Sequence, residues 1–430
     1  MSLSKRDIEA TSQQPEIHAT QAATAPQFPE GGVKAWLTVI GGSIVTFCTF
    51  GVVQSFGVYQ DYYTRVSLKE HTPSAISFIG SMQVFFVFAI GLPAGRLFDA
   101  GYFHHCVVGG SFIYLLSIFM LSLTQPHHYY QTFLAQGIGM GLGMGLMFLP
   151  ALTVTSHYFR ARRSLAMGVV IAGSSIGGCV YPALLNNIFN TTSGFATGVR
   201  AVAFMDLGLL IIANSIMRTR LPPKPKETNN RSTLKEVLID VPYLIFVLGS
   251  FMLFWGVFEE ALFYLQLYAA KHSVSQTMVK YAITIMNASS IFGRTVPNFL
   301  ADIYGPLNII IPSSAISAAL VFAMFGATST AGVIIFATFY GFFSGGAISV
   351  VTPAAGSFVT HADHSDLGTR IGILSFILAF ALLTGNPIAG ALLASPRYKW
   401  YQPMVVVFGG SFLHLISRRA LVKRRGTSRV

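Results

Sequence analysis

Charge is scarce in this chain. Lys, Arg, Asp and Glu together make up 10% of its 430 residues, against about a quarter in an average soluble domain. So few charges cannot coat a water-exposed surface, which leaves lipid as the solvent for most of the chain. Cysteine is nearly absent. Cys48, Cys106 and Cys179 lie in apolar stretches without metal-ligand spacing and read as small core residues, with no metal site. There is no Gly-x-Ser-x-Gly, no His-Glu-x-x-His and no Walker loop. These absences speak against an enzyme, against a cofactor and against drive by ATP. The first 29 or so residues are polar and lack the apolar core of a signal peptide, so they read as a disordered cytoplasmic tail.

What the chain has is apolar length. Hydrophobic residues make up 53%, aromatics 13% with 36 Phe, and mean hydropathy is +0.59. A spanning helix takes about 20 mostly apolar residues. Twelve apolar segments are expected near 34–58, 75–97, 105–124, 130–156, 164–189, 200–218, 243–268, 277–299, 307–326, 332–357, 369–392 and 402–418. The longest polar stretch, Met217 to Asp240, carries Pro222, Pro223 and Pro225 and divides the spans six and six. The expected fold is therefore an all-α integral membrane protein, with twelve transmembrane helices in two six-helix bundles. Its parts are a tail (1–32), a first bundle (33–219), a cytoplasmic linker (220–241), a second bundle (242–418) and a basic tail (419–430).

The net charge of +12 marks cytoplasmic loops rather than a nucleic-acid partner. With both termini inside, twenty Lys/Arg fall inside and seven outside, and Arg294 alone lies within a span.

The halves echo each other. Leu97-Phe98-Asp99 ends span two and Leu300-Ala301-Asp302 ends span eight, an offset of 203. Gly143 and Pro150-Ala151 recur as Gly346 and Pro353-Ala354 at the same offset. Arg162 and Gly177 recur as Arg370 and Gly385 at an offset of 208. This pattern suggests a parallel duplication, which places a substrate path at the interface of the halves near mid-membrane. Glycines crowd spans four and five (Gly137, Gly139, Gly141, Gly143, Gly145; Gly168, Gly173, Gly177, Gly178), where small residues let helices approach closely.

Several motifs resemble the monocarboxylate porter family of the major facilitator superfamily, in its fungal branch. Pro29-Glu30-Gly31-Gly32 followed by Trp36 is similar to the segment leading into that family's first span. His157-Tyr158-Phe159-Arg160-Ala161-Arg162-Arg163-Ser164-Leu165-Ala166-Met167-Gly168, continuing as Ala172-Gly173-Ser174-Ser175-Ile176-Gly177, resembles its second signature. Gly95-Arg96-Leu97-Phe98-Asp99 looks like the loop-two motif of the wider superfamily. The resemblance implies two six-helix bundles with alternating access. It also likens Arg294 to the family's substrate-anion arginine. The family's aspartate one turn earlier is Ser290 here, and its first-span lysine is Gln54, so both of its proton-coupling landmarks are replaced.

Ionisable groups inside a span are costly and mark function. Arg294 is the leading substrate-binding candidate, because a guanidinium fork suits a carboxylate. Gln54, Asn287 and Asn386 are the further polar candidates. Glu259, Glu260 and Asp206 are the candidates for proton coupling. Arg96, Asp99, Arg162, Arg163, Asp302 and Arg370 sit where helices meet cytosol and read as gate residues. Asn190-Thr191-Thr192 is a candidate glycosylation site.

The expected function is secondary active transport of small organic acids or monocarboxylate-like metabolites, with a proton gradient as the possible drive. The alternatives are efflux of a fungal secondary metabolite and, in another class, a non-transporting nutrient sensor. The expected partners are an organic anion and the lipid bilayer, in the plasma membrane first and the vacuolar membrane second.

Overall fold

The computed structural model describes residues 28–189, 194–220, 230–271, 276–359, 367–392 and 402–428, with the backbone alone at 73, 230–234, 257–271, 276–280, 386–392 and 402–407. Asn190 lies outside the described residues. So do the side chains of Glu259, Glu260 and Asn386.

Every regular element among the described residues is helical. The long helices are α1 (Val33–Ser67), α2 (Ser74–Asp99), α3 (Phe103–Leu121), α4 (Tyr129–His157), α5 (Arg163–Phe189) and α6 (Gly194–Ile216). They continue as α7 (Val241–Lys271), α8 (Gln276–Tyr304), α9 (Pro306–Gly326), α10 (Thr330–Phe358), α11 (Leu367–Leu392) and α12 (Gln402–Arg425). A short helix, Asn230–Ile239, precedes α7. Among the described residues nine helices are long and apolar enough to cross a membrane. The other three, α7, α8 and α12, are 31, 29 and 24 residues long, each above roughly 30 Å at about 1.5 Å per residue. In hydrocarbon the backbone must satisfy its own polar groups, which is why apolar runs of this length become helices.

Local chemistry sets the joints. Thr72 caps α2 by accepting from the Ala75 N–H at 3.3 Å, with Pro73 in the first turn. Ser329 accepts from the Gly332 N–H at 3.1 Å at the start of α10. Between α8 and α9 the chain reverses at Gly305, whose φ of 100° suits glycine, and Pro306 starts the next helix. Helix α1 breaks its regular path at Ser55, whose hydroxyl donates to Val52 O at 2.7 Å. That break falls directly after Gln54.

The same helix pairings occur in both halves. α1 packs on α5 and α6, as α7 does on α11 and α12; α4 packs on α2 and α3, as α10 does on α8 and α9. Glycines make the closest of these contacts. A Cβ on Gly173 would lie 2.1 Å from Ser43 O. The absent side chain lets Ser43 Oγ donate to Val169 O at 2.9 Å and Thr46 Oγ1 donate to Val170 O. In the second half, a Cβ on Gly293 would lie 2.1 Å from Phe342 O, so α8 and α10 meet backbone to backbone there.

The halves meet along two reciprocal seams, α5 against α8 and α2 against α11. The second seam includes the Phe85–Phe380 ring pair at 5.5 Å, and Phe88 reaches Phe254 of α7 at 5.9 Å.

Candidate functional site

The α5–α8 seam holds a polar cluster built on one stripe of α5. Residues 171, 174 and 178 fall on one face because three and four positions make one helical turn. Arg294 of α8 is 8% exposed. Its Nη1 crosses the seam to donate to Ile171 O at 3.2 Å and to Ser174 Oγ, and its Nε donates to Ser290 Oγ at 3.1 Å. Long basic side chains near a span end often turn toward water, but this one reaches across to the other half.

Gln54 of α1 donates from Nε2 to Ser174 O at 2.9 Å, and Asn287 of α8 donates from Nδ2 to Gly178 O at 3.3 Å. A Cβ on Gly178 would lie 2.8 Å from both Gln54 Oε1 and Asn287 Nδ2, so only glycine lets these amides converge. Three of the residues proposed for substrate from the sequence, Arg294, Gln54 and Asn287, are thus brought together. Ser174 joins all of this: its hydroxyl meets Arg294 and its carbonyl meets Gln54. It lies inside the α5 signature, and Arg294 has no ion pair among the described residues.

Asp206 sits elsewhere. It is fully buried inside the first half on α6, and accepts from Tyr114 Oη of α3 and Tyr181 Oη of α5. Cys48 of α1 is a further neighbour of the carboxylate.

At the end of the bundle that carries both described termini, carboxylates meet helix starts. Asp302 at the end of α8 accepts from Ser164 N at 2.8 Å and Leu165 N at 2.9 Å, across the seam on α5. Its repeat partner Asp99, at the end of α2, packs its carboxylate on Gly368 at the start of α11. Both place a negative charge at a helix N-terminus, where unpaired N–H groups and the dipole favour it. Arg163 packs its guanidinium on Gly356 in the other half. Arg370 is 2% exposed and donates to Asp240 at 2.8 Å, while Arg424 reaches the other oxygen of Asp240 at 2.9 Å. Arg162 and Arg96 are different. Arg162 is exposed and contributes its backbone N–H rather than its charge, and Arg96 is exposed, its side chain making no hydrogen bond among the described residues.

Sequence reasoning missed Glu30 as an anchor of this end. Its carboxylate accepts from Arg160 N at 2.9 Å, Ala161 N at 2.7 Å and Arg162 N at 3.3 Å, directly before α5. Glu30 and Asp240 hold equivalent positions, each just ahead of the first helix of its half. Each serves the start of that half's fifth helix, α5 or α11. A capping carboxylate contributes roughly 0.5–2 kcal/mol. Glu30→Ala is therefore expected to speed hydrogen exchange of the 160–162 amides by about 2- to 30-fold, read by mass spectrometry. Unchanged exchange there would show that Glu30 does not hold this turn.

Long apolar helices in two halves that share their pairings, with a cation buried where the halves meet, define a membrane transporter. The chain belongs to the Major Facilitator Superfamily, whose family model matches residues 35–296. It is 41% identical over 399 residues to the aspyridones efflux protein apdF of Emericella nidulans, covering 92% of this chain and 80% of that protein. It is 37% identical over 382 residues to the MFS-type transporter dbaD of the same organism, covering 88% of this chain and 84% of that one. Among solved structures it is similar to the E. coli fucose:proton symporter, with a TM-score of 0.64 at 15% identity over 90% of this chain and 98% of that one, a likeness of fold. The protein is a multi-pass membrane transporter and not an enzyme. Of these relatives, apdF is named for efflux and dbaD only as a transporter.

Proposed function

We propose that this transporter exports an acidic secondary metabolite by alternating access, with Arg294 as the anion-binding group. One observation carries the acid class. Arg294 is a buried cation at the seam whose hydrogen-bond partners are all neutral oxygens. A buried charge without a counter-charge is costly, and an arriving carboxylate supplies one. The direction of transport is supported by the 41% identical relative, which is named for efflux.

Gln54 and Asn287 orient the rest of the ligand, with Asn386 as a further contact. Glu259, Glu260 and Asp206 are the carboxylates available to carry protons from a gradient. Asp99, Asp302, Arg163 and Arg370 hold the end of the seam closed, and the plasma membrane is the membrane that export requires.

The test uses inside-out plasma-membrane vesicles from yeast expressing the chain, energised with a proton gradient. They are offered aspyridones and, separately, lactate and pyruvate. Accumulation of the metabolite, collapsed by a protonophore, is the expected result. Accumulation of lactate or pyruvate with none of the metabolite would replace this reading with a small-monocarboxylate porter.

A further inference from the structure

We propose that Ser174 is a positioning residue that holds Arg294 across the seam at rest and is displaced by the arriving anion. Anion loading then loosens the α5–α8 contact. This rests on the acid-export reading above and adds how the site communicates with the gate.

The geometry of the serine makes it an acceptor. Its hydroxyl proton is committed to Ile171 O at 2.8 Å, so the oxygen offers lone pairs to Arg294 Nη1. Its carbonyl is held by Gln54 at 2.9 Å, and the residue is 1% exposed, so neither group drifts. Arg294 Nη1 also meets Ile171 O, so both cross-seam bonds of the guanidinium end on the same turn of α5. Nη2 has no hydrogen bond among the described residues.

A carboxylate makes hydrogen bonds roughly twice as strong as a neutral oxygen does and engages two guanidinium nitrogens at once. It therefore outcompetes a hydroxyl and a carbonyl for the same group. When the guanidinium turns to the anion, the first half loses both bonds from Arg294. The hydrogen bonds that then join α5 to α8 are Asn287 to Gly178 O and Cys179 Sγ to Thr284 O at 3.6 Å toward one end, and the Asp302 cap at the other. A ligand moves a conformational equilibrium only through a difference in its contacts between the two states. Exchange of Ser174 for the anion is such a difference.

The experiment measures modification of Arg294 by phenylglyoxal in the purified full chain, quantified by mass spectrometry. The exposed Arg96 serves as the internal reference. Wild type, Ser174→Ala and Ser174→Thr are compared, each with and without benzoate. Ser174→Ala is expected to raise the Arg294 rate roughly 10-fold or more, and to lower the benzoate concentration for half-protection by a similar factor. Ser174→Thr, which keeps the hydroxyl, is expected to stay near wild type. Equal rates in wild type and Ser174→Ala would overturn the holding role while leaving the transporter reading intact. Equal gains in the Thr and Ala variants would make it a packing effect and overturn the role of the hydroxyl. Faster labelling without benzoate protection in any variant would remove the competition, and with it the acid substrate class.

Discussion

Arg294→Ala is expected to abolish transport and leave the protein folded. The reasoning separates binding from stability. For binding, truncating one partner of a buried charge pair costs about 2–5 kcal/mol, which weakens an anion by roughly 30- to 4,000-fold. For stability, the arginine has no counter-charge among the described residues and gives up its hydration to reach Ser174 and Ile171. Removing an unpaired buried cation relieves that desolvation cost, so the thermal midpoint is expected to move little. Arg294→Lys adds a second arm. Lysine keeps the charge but loses the planar fork, so it should bind weakly and still transport, with the affinity loss larger than the loss in maximal rate. Uptake into the energised vesicles and a melting curve on the same preparation check both arms. Full transport by Arg294→Ala would exclude Arg294 as the anion site.

Different parts of this architecture were legible in the sequence to different degrees, and for physical reasons. The spans were readable because hydrocarbon imposes one length and one composition on every segment. Arg294 stood out because a lone cation in a span has few structural excuses. Asp99 and Asp302 were readable as a pair because duplication repeats a spacing, and their carboxylates do face equivalent helix starts, at α11 and α5.

Ser174 was not separable from the other small residues of its helix. Its distinction lies in partners 120 positions away in each direction, Gln54 and Arg294, and single-sequence spacing carries no such information. Glu30 was read as part of a motif leading into α1, whereas its carboxylate serves the turn at 160–162, about 130 residues on. Asp206 illustrates the same limit. A buried acid in a span suggests function, yet the sequence cannot say that two tyrosines from α3 and α5 already surround it.

The second large effect is expected at Asp206. Asp206→Ala leaves the Tyr114 and Tyr181 hydroxyls without their acceptor at the centre of the first half, where both tyrosines are 0% exposed. A buried donor stripped of its partner costs about 1–3 kcal/mol, so the pair together costs roughly 2–6 kcal/mol. That is comparable to the whole stability of many domains, of order 5–15 kcal/mol. Asp206→Ala is therefore expected to give little folded protein. Asp206→Asn keeps one acceptor for a tyrosine and offers its amide N–H to the oxygen of the other, so it should fold.

The asparagine variant isolates the proton question, because an amide cannot titrate. The groups facing Asp206 from the neighbouring helices are Tyr114, Tyr181 and Cys48, with Tyr59 near enough to feel its charge. All are neutral hydroxyls or a thiol, so the carboxyl is the most acidic group among them and the one suited to carry a proton. If Asp206 carries the coupled proton, transport by Asp206→Asn loses its dependence on the gradient while binding persists. If the variant transports with the wild-type pH profile, Asp206 is a structural clamp for the first half, and coupling falls to Glu259 and Glu260. Melting curves of the Ala and Asn variants, with pH-dependent uptake by the latter, separate the two roles.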